Sequence, residues 1–188
     1  MTQIIAELCQ NHNGDLDILK KMVREAAEAG VDYVKIQSLL VSDLTRRVRF
    51  ENGIIENGVV KAIKRPFQAE YDRLKLLDLD DDAHFMFIDE CRKNNVKPLT
   101  TVFTKSRIPF LASLPWPEKA IKISSFDCRS KRLLEDLINS GFRKFFISTG
   151  TTYDHEIEET AAILKSAGVD FTFLHCVSIY PTQLETAH

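Results

Sequence analysis

Two lysines stand where a folded chain least easily holds a charge. The apolar run Tyr33-Val34-Lys35-Ile36-Gln37 carries Lys35 and Gln37 two residues apart, hence on one face of an extended segment. The run Ala120-Ile121-Lys122-Ile123 carries Lys122 and opens into Ser124, Ser125 and Asp127. Glu7 lies inside Ile4-Ile5-Ala6-Glu7-Leu8-Cys9, and Thr100 and Thr101 lie inside Pro98 to Phe103. Ser148-Thr149-Gly150 and His175-Cys176-Val177-Ser178 close two further runs, with Tyr180 just beyond. A buried ammonium without a counter-ion is strongly disfavoured. Glu7 and Asp127 offer internal carboxylates, but the hydroxyl and amide donors beside the lysines suit phosphate and carboxylate oxygens. The set points to a cradle for one small, multiply negative ligand, with Lys35 and Lys122 at its centre.

Other reactive residues read more plainly. A lone Ser or Thr at a strand end more often binds nearby backbone than a ligand, so Thr100 and Ser148 alone mean little. Cys9, Cys128 and Cys176 are expected to pack as small hydrophobes. Neither His12 nor His175 has a partner at a metal-ligand spacing, so no metal ligand is assigned within the chain. His84 and His155 fall on predicted helices and are expected in solvent. Trp116 is expected to pack over an outer layer, and Asp78 with Asp80-Asp81-Asp82 to form a solvated helix start.

The elements that must position these residues alternate. Leu16, Leu19, Met22, Val23, Ala26 and Ala27 recur at three-and-four spacing and predict a helix, with Asp15 at its start and Gly30 at its end. A second helix opens at Asp80 and places Phe85, Ile88 and Cys91 on one face; others are predicted from Ser130 to Asn139 and from Asp154 to Ser166. Strands are predicted at Ile4–Cys9, Tyr33–Gln37, Pro98–Phe103, Ala120–Ser124, Lys144–Ser148 and Phe171–Cys176. This alternation predicts an α/β fold with a parallel sheet. Charged residues inside the strands favour a TIM-type (β/α) barrel over an open doubly wound sheet, because a barrel's upper interior can hold them. The count reaches about six of the eight βα units of such a barrel, so the expectation is an incomplete barrel spanning residues 1–188. Between Ser38 and Leu79 an insertion of about 40 residues far exceeds a usual βα loop. Its two Asn-Gly pairs, at Asn52-Gly53 and Asn57-Gly58, predict a hairpin excursion on the face where the polar strand ends gather.

Composition sets bounds. The 188 residues suit one domain, and a formal net charge of −2 gives no basic field for nucleic acid. No apolar run is long enough to cross a bilayer, and four scattered cysteines form no disulfide or zinc pattern, so a cytoplasmic protein is expected.

In order along nearly the whole chain, the motifs resemble the sialic acid synthase family. The resemblance rests on Ile4-Ile5-Ala6-Glu7, Asn11-His12-Asn13-Gly14, Val34-Lys35-Ile36-Gln37, Tyr71-Asp72-Arg73-Leu74-Lys75, Ile121-Lys122-Ile123-Ser124-Ser125, Ile147-Ser148-Thr149-Gly150 and Leu174-His175-Cys176-Val177-Ser178-Ile179-Tyr180-Pro181-Thr182. It implies condensation of phosphoenolpyruvate with N-acetylmannosamine or a related amino sugar on a (β/α) barrel, releasing phosphate. It further implies a following antifreeze-like domain, a homodimer, and a divalent metal (Mn or Mg) whose ligands lie outside this chain. By position, Lys35, Thr101, Lys122, Ser125 and Ser178 would hold phosphoenolpyruvate; Gln37, Asp127 and Tyr180 would face the sugar; Glu7 would be the acid–base carboxylate. Ser178 stands where the family often has Asn, Asp127 where Glu is common, and Phe126 where Gly is frequent. These departures bear on which sugar is used. On the residues alone, a non-catalytic module binding a phosphorylated metabolite, or another phosphoenolpyruvate or aldol condensation, stays open.

Overall fold

A computed structural model describes residues 2–179 and 181–186. The chain begins with β1 (Ile5–Cys9), α1 (Leu16–Glu28) and β2 (Tyr33–Ser38). A long excursion follows, holding α2 (Val48–Glu51), β3 (Ile54–Glu56), β4 (Val59–Ala62) and α3 (Phe67–Lys75), and leads to α4 (Asp81–Lys93). Thereafter strands and helices alternate as β5 (Lys97–Val102), α5 (Ile108–Ser113), β6 (Ala120–Ile123), α6 (Lys131–Asn139), β7 (Lys144–Ser148), α7 (Asp154–Ser166) and β8 (Asp170–Leu174). Local chemistry sets the boundaries. The Asp15 carboxylate accepts from the Asp17 and Ile18 amides and starts α1, while Asp80 does the same for the Ala83 amide at α4. At the tip of the β3–β4 hairpin Asn57 and Gly58 both take positive φ, +50° and +77°, which turns the strands with their natural twist.

Six strands pair in parallel in the order β1-β2-β5-β6-β7-β8, which follows the chain without the reversal of a doubly wound sheet. The α/β fold and its parallel sheet were thus legible in the sequence. The sheet is strongly curled. The Tyr33 ring on β2 meets the Phe146 ring on β7 edge-on at 5.2 Å between centroids. Two strands lie between β2 and β7, and a flat sheet would hold those backbones roughly 14 Å apart. Curling gives each strand a concave and a convex face, and the core divides accordingly. On the convex face Val34, Ile36, Ile121, Phe145 and Ile147 pack with residues of the covering helices, including Leu19 and Val23 of α1, Phe87 and Ile88 of α4, and Leu134 of α6. On the concave face Tyr33, Leu99, Ala120 and Phe146 form a separate apolar layer, flanked by Ile5 and Leu174. Below it, the Tyr33 hydroxyl donates to Glu118 at 2.7 Å, and Lys97 and Lys144 flank the same carboxylate.

Three helical segments exceed the expectation: α2, α3 and α5. On α4 the buried face runs through His84, Phe87, Ile88 and Cys91, and Phe85, expected inside, is 46% exposed with its edge towards Phe110. Trp116 packs into the convex core and donates from its indole to the Leu111 carbonyl at 2.6 Å.

Candidate anion-binding site

The alternation that sends Tyr33 and Leu99 into the concave apolar layer sends Lys35 and Thr101 to the same face one step further along. Thr101 is in register with Lys122 on β6. The two lysines and Thr101 are all buried, at 4%, 9% and 3% exposure. Lys35 Nζ donates to Thr101 Oγ1 at 2.6 Å and pairs with the Glu7 carboxylate. Lys122 Nζ donates to Ser148 Oγ at 2.5 Å and to the Ile123 carbonyl at 2.7 Å. No carboxylate is in salt-bridge contact with Lys122 among the described residues. Burial pushes the Lys35 ammonium below its ordinary value, against the pull of Glu7. Burial, and then the charge of Lys35, push Lys122 down to about 8. Two buried cations thus lie on one concave layer with one carboxylate in contact among the described residues.

Hydroxyls also gather around Gly150. The Gly150 amide donates to Ser125 Oγ at 3.1 Å. A Cβ at Gly150 would stand 2.4 Å from Ser178 Oγ and 2.9 Å from Ser125 Oγ, so only glycine lets these groups converge. Gly150→Ala is therefore expected to cost about 1–3 kcal/mol of stability through overpacking and to weaken phosphate binding about tenfold or more by parting Ser125 from Ser178. Chemical denaturation and calorimetric titration check it; unchanged affinity would show that the two serines do not act together.

Two cysteines expected as inert hydrophobes belong to this surface instead. Cys176 lies half-buried beside Gly150; burial pushes its thiol up, but contacts with Ser148 and the Thr149 backbone, and the charge of Lys122, bring it below its ordinary value. Cys9 accepts from Gln37 Nε2 at 3.1 Å, and its amide donates to Glu7 Oε1 at 2.8 Å. It follows a bulge between Glu7 and Cys9 and takes φ +53°, strained for a residue with a side chain. Just before that bulge Glu7 is in register with Lys35, its ion-pair partner. Cys128 alone is packed as expected, fully buried. A thiol whose strand places it beside a lysine was visible in the strand-end spacing at Cys176, but residue type argued against it.

The remaining expectations divide. Asp127 meets neither lysine; it accepts from Ser124 Oγ at 2.7 Å. Gln37 reaches the wall of a cavity of about 550 Å³ that the insertion forms with the strand ends, lined also by Leu44, Phe50, Phe67, Arg73 and Phe103. Tyr180 lies outside the described residues. His12 is buried, and its Nδ1 accepts from the Gly14 amide at 3.0 Å. His84, expected in solvent, is fully buried and bonded to Ser38. Among the described residues no group of three or more His, Cys, Asp or Glu is arranged to hold a metal ion.

The NeuB family model matches residues 22–188. The chain belongs to the NeuB family. This NeuB-family chain is 31% identical over 191 residues to N,N'-diacetyllegionaminic acid synthase of Campylobacter jejuni, which covers 96% of this chain and 52% of that protein. It is 32% identical over 181 residues to N-acetylneuraminate-9-phosphate synthase of Drosophila melanogaster, covering 95% and 46%. Among solved structures, N-acetylneuraminic acid synthetase from Leptospira borgpetersenii, in complex with citrate, matches with a TM-score of 0.78 at 28% identity, over 97% of this chain and 56% of that one. The chain spans about half the length of the curated relatives it matches. No helix among the described residues is long and apolar enough to cross a membrane.

Proposed function

We propose that this NeuB-family chain carries the phosphoenolpyruvate half-site of an enzyme that condenses phosphoenolpyruvate with N-acetylmannosamine or a related amino sugar, giving a nonulosonic acid and phosphate. One observation carries the reading: Lys35 and Lys122 are buried on one concave layer with a single carboxylate in contact with them among the described residues. Such a layer has excess positive charge, and a ligand bearing both carboxylate and phosphate satisfies it. The names of the relatives and the citrate complex of the Leptospira protein support the same chemistry. The curled six-stranded sheet supports the finer reading of the fold, six of the eight units of a (β/α) barrel. A homodimer, a cytoplasmic setting and a following antifreeze-like domain complete the proposal.

In the reaction, the enol carbon of phosphoenolpyruvate attacks the open-chain sugar aldehyde and forms the new carbon–carbon bond, while the aldehyde oxygen takes a proton. Positive charge develops at the carbon that bears the phosphate. Water adds there and loses a proton, and the tetrahedral intermediate breaks its bond to phosphate, leaving a ketone. Lys35, Lys122, Thr101 and Ser148 fix the oxygens of the substrate and of the departing phosphate without reorganising. Glu7, partly exposed at the rim and held by Lys35 and the Cys9 amide, takes the proton from the attacking water. Gln37 and the neighbouring cavity receive the sugar. A divalent metal (Mn or Mg) would polarise the aldehyde when bound; the described residues offer no ligand set for it.

Calorimetric titration of the chain with phosphoenolpyruvate tests the reading. Saturable binding that inorganic phosphate displaces is expected, and it should vanish in Lys35→Met. Absence of binding at millimolar ligand would overturn it.

A further inference from the structure

A second set of buried polar groups lies on the convex side of the same two strands and has no part in the proposed chemistry. Ser38, His84 and Thr100 are each 0% exposed. Ser38 Oγ is 2.7 Å from His84 Nε2 and 2.7 Å from Thr100 Oγ1, and His84 Nδ1 is 2.8 Å from the Asp80 carbonyl. A carbonyl only accepts, so Nδ1 carries the imidazole proton and Nε2 accepts from Ser38. Ser38 has one proton, and its oxygen then accepts from Thr100. The bonds run one way, from Thr100 through Ser38 and His84 to Asp80. Each hydroxyl adjoins a cradle residue: Ser38 follows Gln37, and Thr100 precedes Thr101, the acceptor of Lys35. Gln37 and Thr101 are themselves in register across β2 and β5.

We infer that neutral His84 is a positioning residue: through Ser38 and Thr100 it fixes the strand ends that aim Gln37 and Thr101 at the ligand, and its protonation loosens that edge of the cradle. The inference rests on the anion-cradle reading above. A charged His84 must donate from Nε2, so the Ser38 hydroxyl has to turn to Thr100. Thr100 then has only the Ile36 and Thr101 carbonyls, at 3.4 and 3.5 Å, both longer than a good bond. Around the ring stand Arg107 from the turn before α5, Asp78 from the loop before α4, Asp81 at the start of α4, and the edge of Phe110 at 5.5 Å. Burial first, and then Arg107, outweigh the Asp80 carbonyl and the two aspartates and hold the imidazole below its ordinary value, so it is neutral at neutral pH and charges only in acid.

The test uses inorganic sulfate, whose charge is constant over the range, and two variants. His84→Leu leaves Ser38 without an acceptor; His84→Gln restores an acceptor that cannot titrate. Relative to wild type near neutral pH, His84→Leu should weaken sulfate binding about tenfold, and His84→Gln should recover most of that loss. Wild-type affinity should fall about fivefold as the His84 ring charges in acid, beyond any change in His84→Gln. In nuclear magnetic resonance spectra, the Gln37 and Thr101 amides should titrate with the His84 ring in wild type and stay flat in His84→Gln. An identical acid limb in His84→Gln, or amides that ignore the His84 titration, overturns the inference. Absence of sulfate binding in every form would sink the cradle reading, and the amide titration would still decide the role of His84. Should His84→Leu fail to fold, Ser38→Ala replaces it with the same expected loss.

Discussion

Lys122→Met is expected to lower the affinity for phosphoenolpyruvate by about 100-fold or more and to remove its pH dependence above neutrality, because the variant takes away a buried, hydrogen-bonded charge that meets the anion. Lys122 sits at about 8, pushed down by burial and then by Lys35. Only its charged form holds the anion, so wild-type affinity falls as pH rises through about 8, roughly tenfold by about pH 9. The ligand's own phosphate has finished ionising by then, with its second pKa near 6. Binding draws a proton onto Lys122, and calorimetry in two buffers of different ionisation heat near pH 8.5 should register uptake in wild type and none in the variant. The empty protein should respond in the opposite direction. An amine whose folded value lies below its unfolded value of 10.5 favours folding above that value, and the contribution is lost as pH falls through about 8. At neutral pH the empty cradle therefore holds a destabilising charge, and Lys122→Met should melt higher than wild type without ligand. Wild-type affinity in the variant, or the same alkaline limb, would contradict this account.

The second large effect belongs to the floor beneath the lysines. Phe146→Ala should cost about 3–5 kcal/mol in urea unfolding, since a buried aromatic ring is lost and the sheet around it cannot collapse into the gap. Phe146 is buried, packs against the Tyr33 ring, and lies beneath the Lys144 ammonium at 5.5 Å. It also joins strands that are not neighbours in the sheet, so the cavity would fall where the curl is held. A loss below about 1 kcal/mol would show that the concave layer does not sustain that curl.

Much of this was readable from residue order. Lys35 and Lys122 announced themselves because an ammonium within an apolar strand violates the rule that buried charge needs a partner, and strand periodicity placed Gln37 on the face of Lys35. The alternation of two-residue and three-to-four-residue periods gave the parallel sheet. What stayed hidden was rotation and partnership. The face of α4 was assigned through Phe85, the more apolar residue, whereas packing chose His84 one position earlier, whose polarity Ser38 satisfies from 46 residues away. No local pattern encodes such a pair. α3 escaped notice because it buries no residue fully and so lacks a strong apolar stripe. Cys9 and Cys176 were misjudged because a thiol's character depends on neighbours that only the fold supplies.

The division of labour between strands and insertion has a consequence for specificity. The lysines, Thr101 and Ser148 belong to the parallel strands, whereas most of the adjoining cavity wall comes from the excursion between Ser38 and Asp80. On the proposed function, recognition of the anionic donor and choice of the partner it meets are therefore written in separable stretches of chain. Exchanging that excursion between relatives is then expected to redirect which aldehyde is accepted while the proposed chemical engine stays untouched.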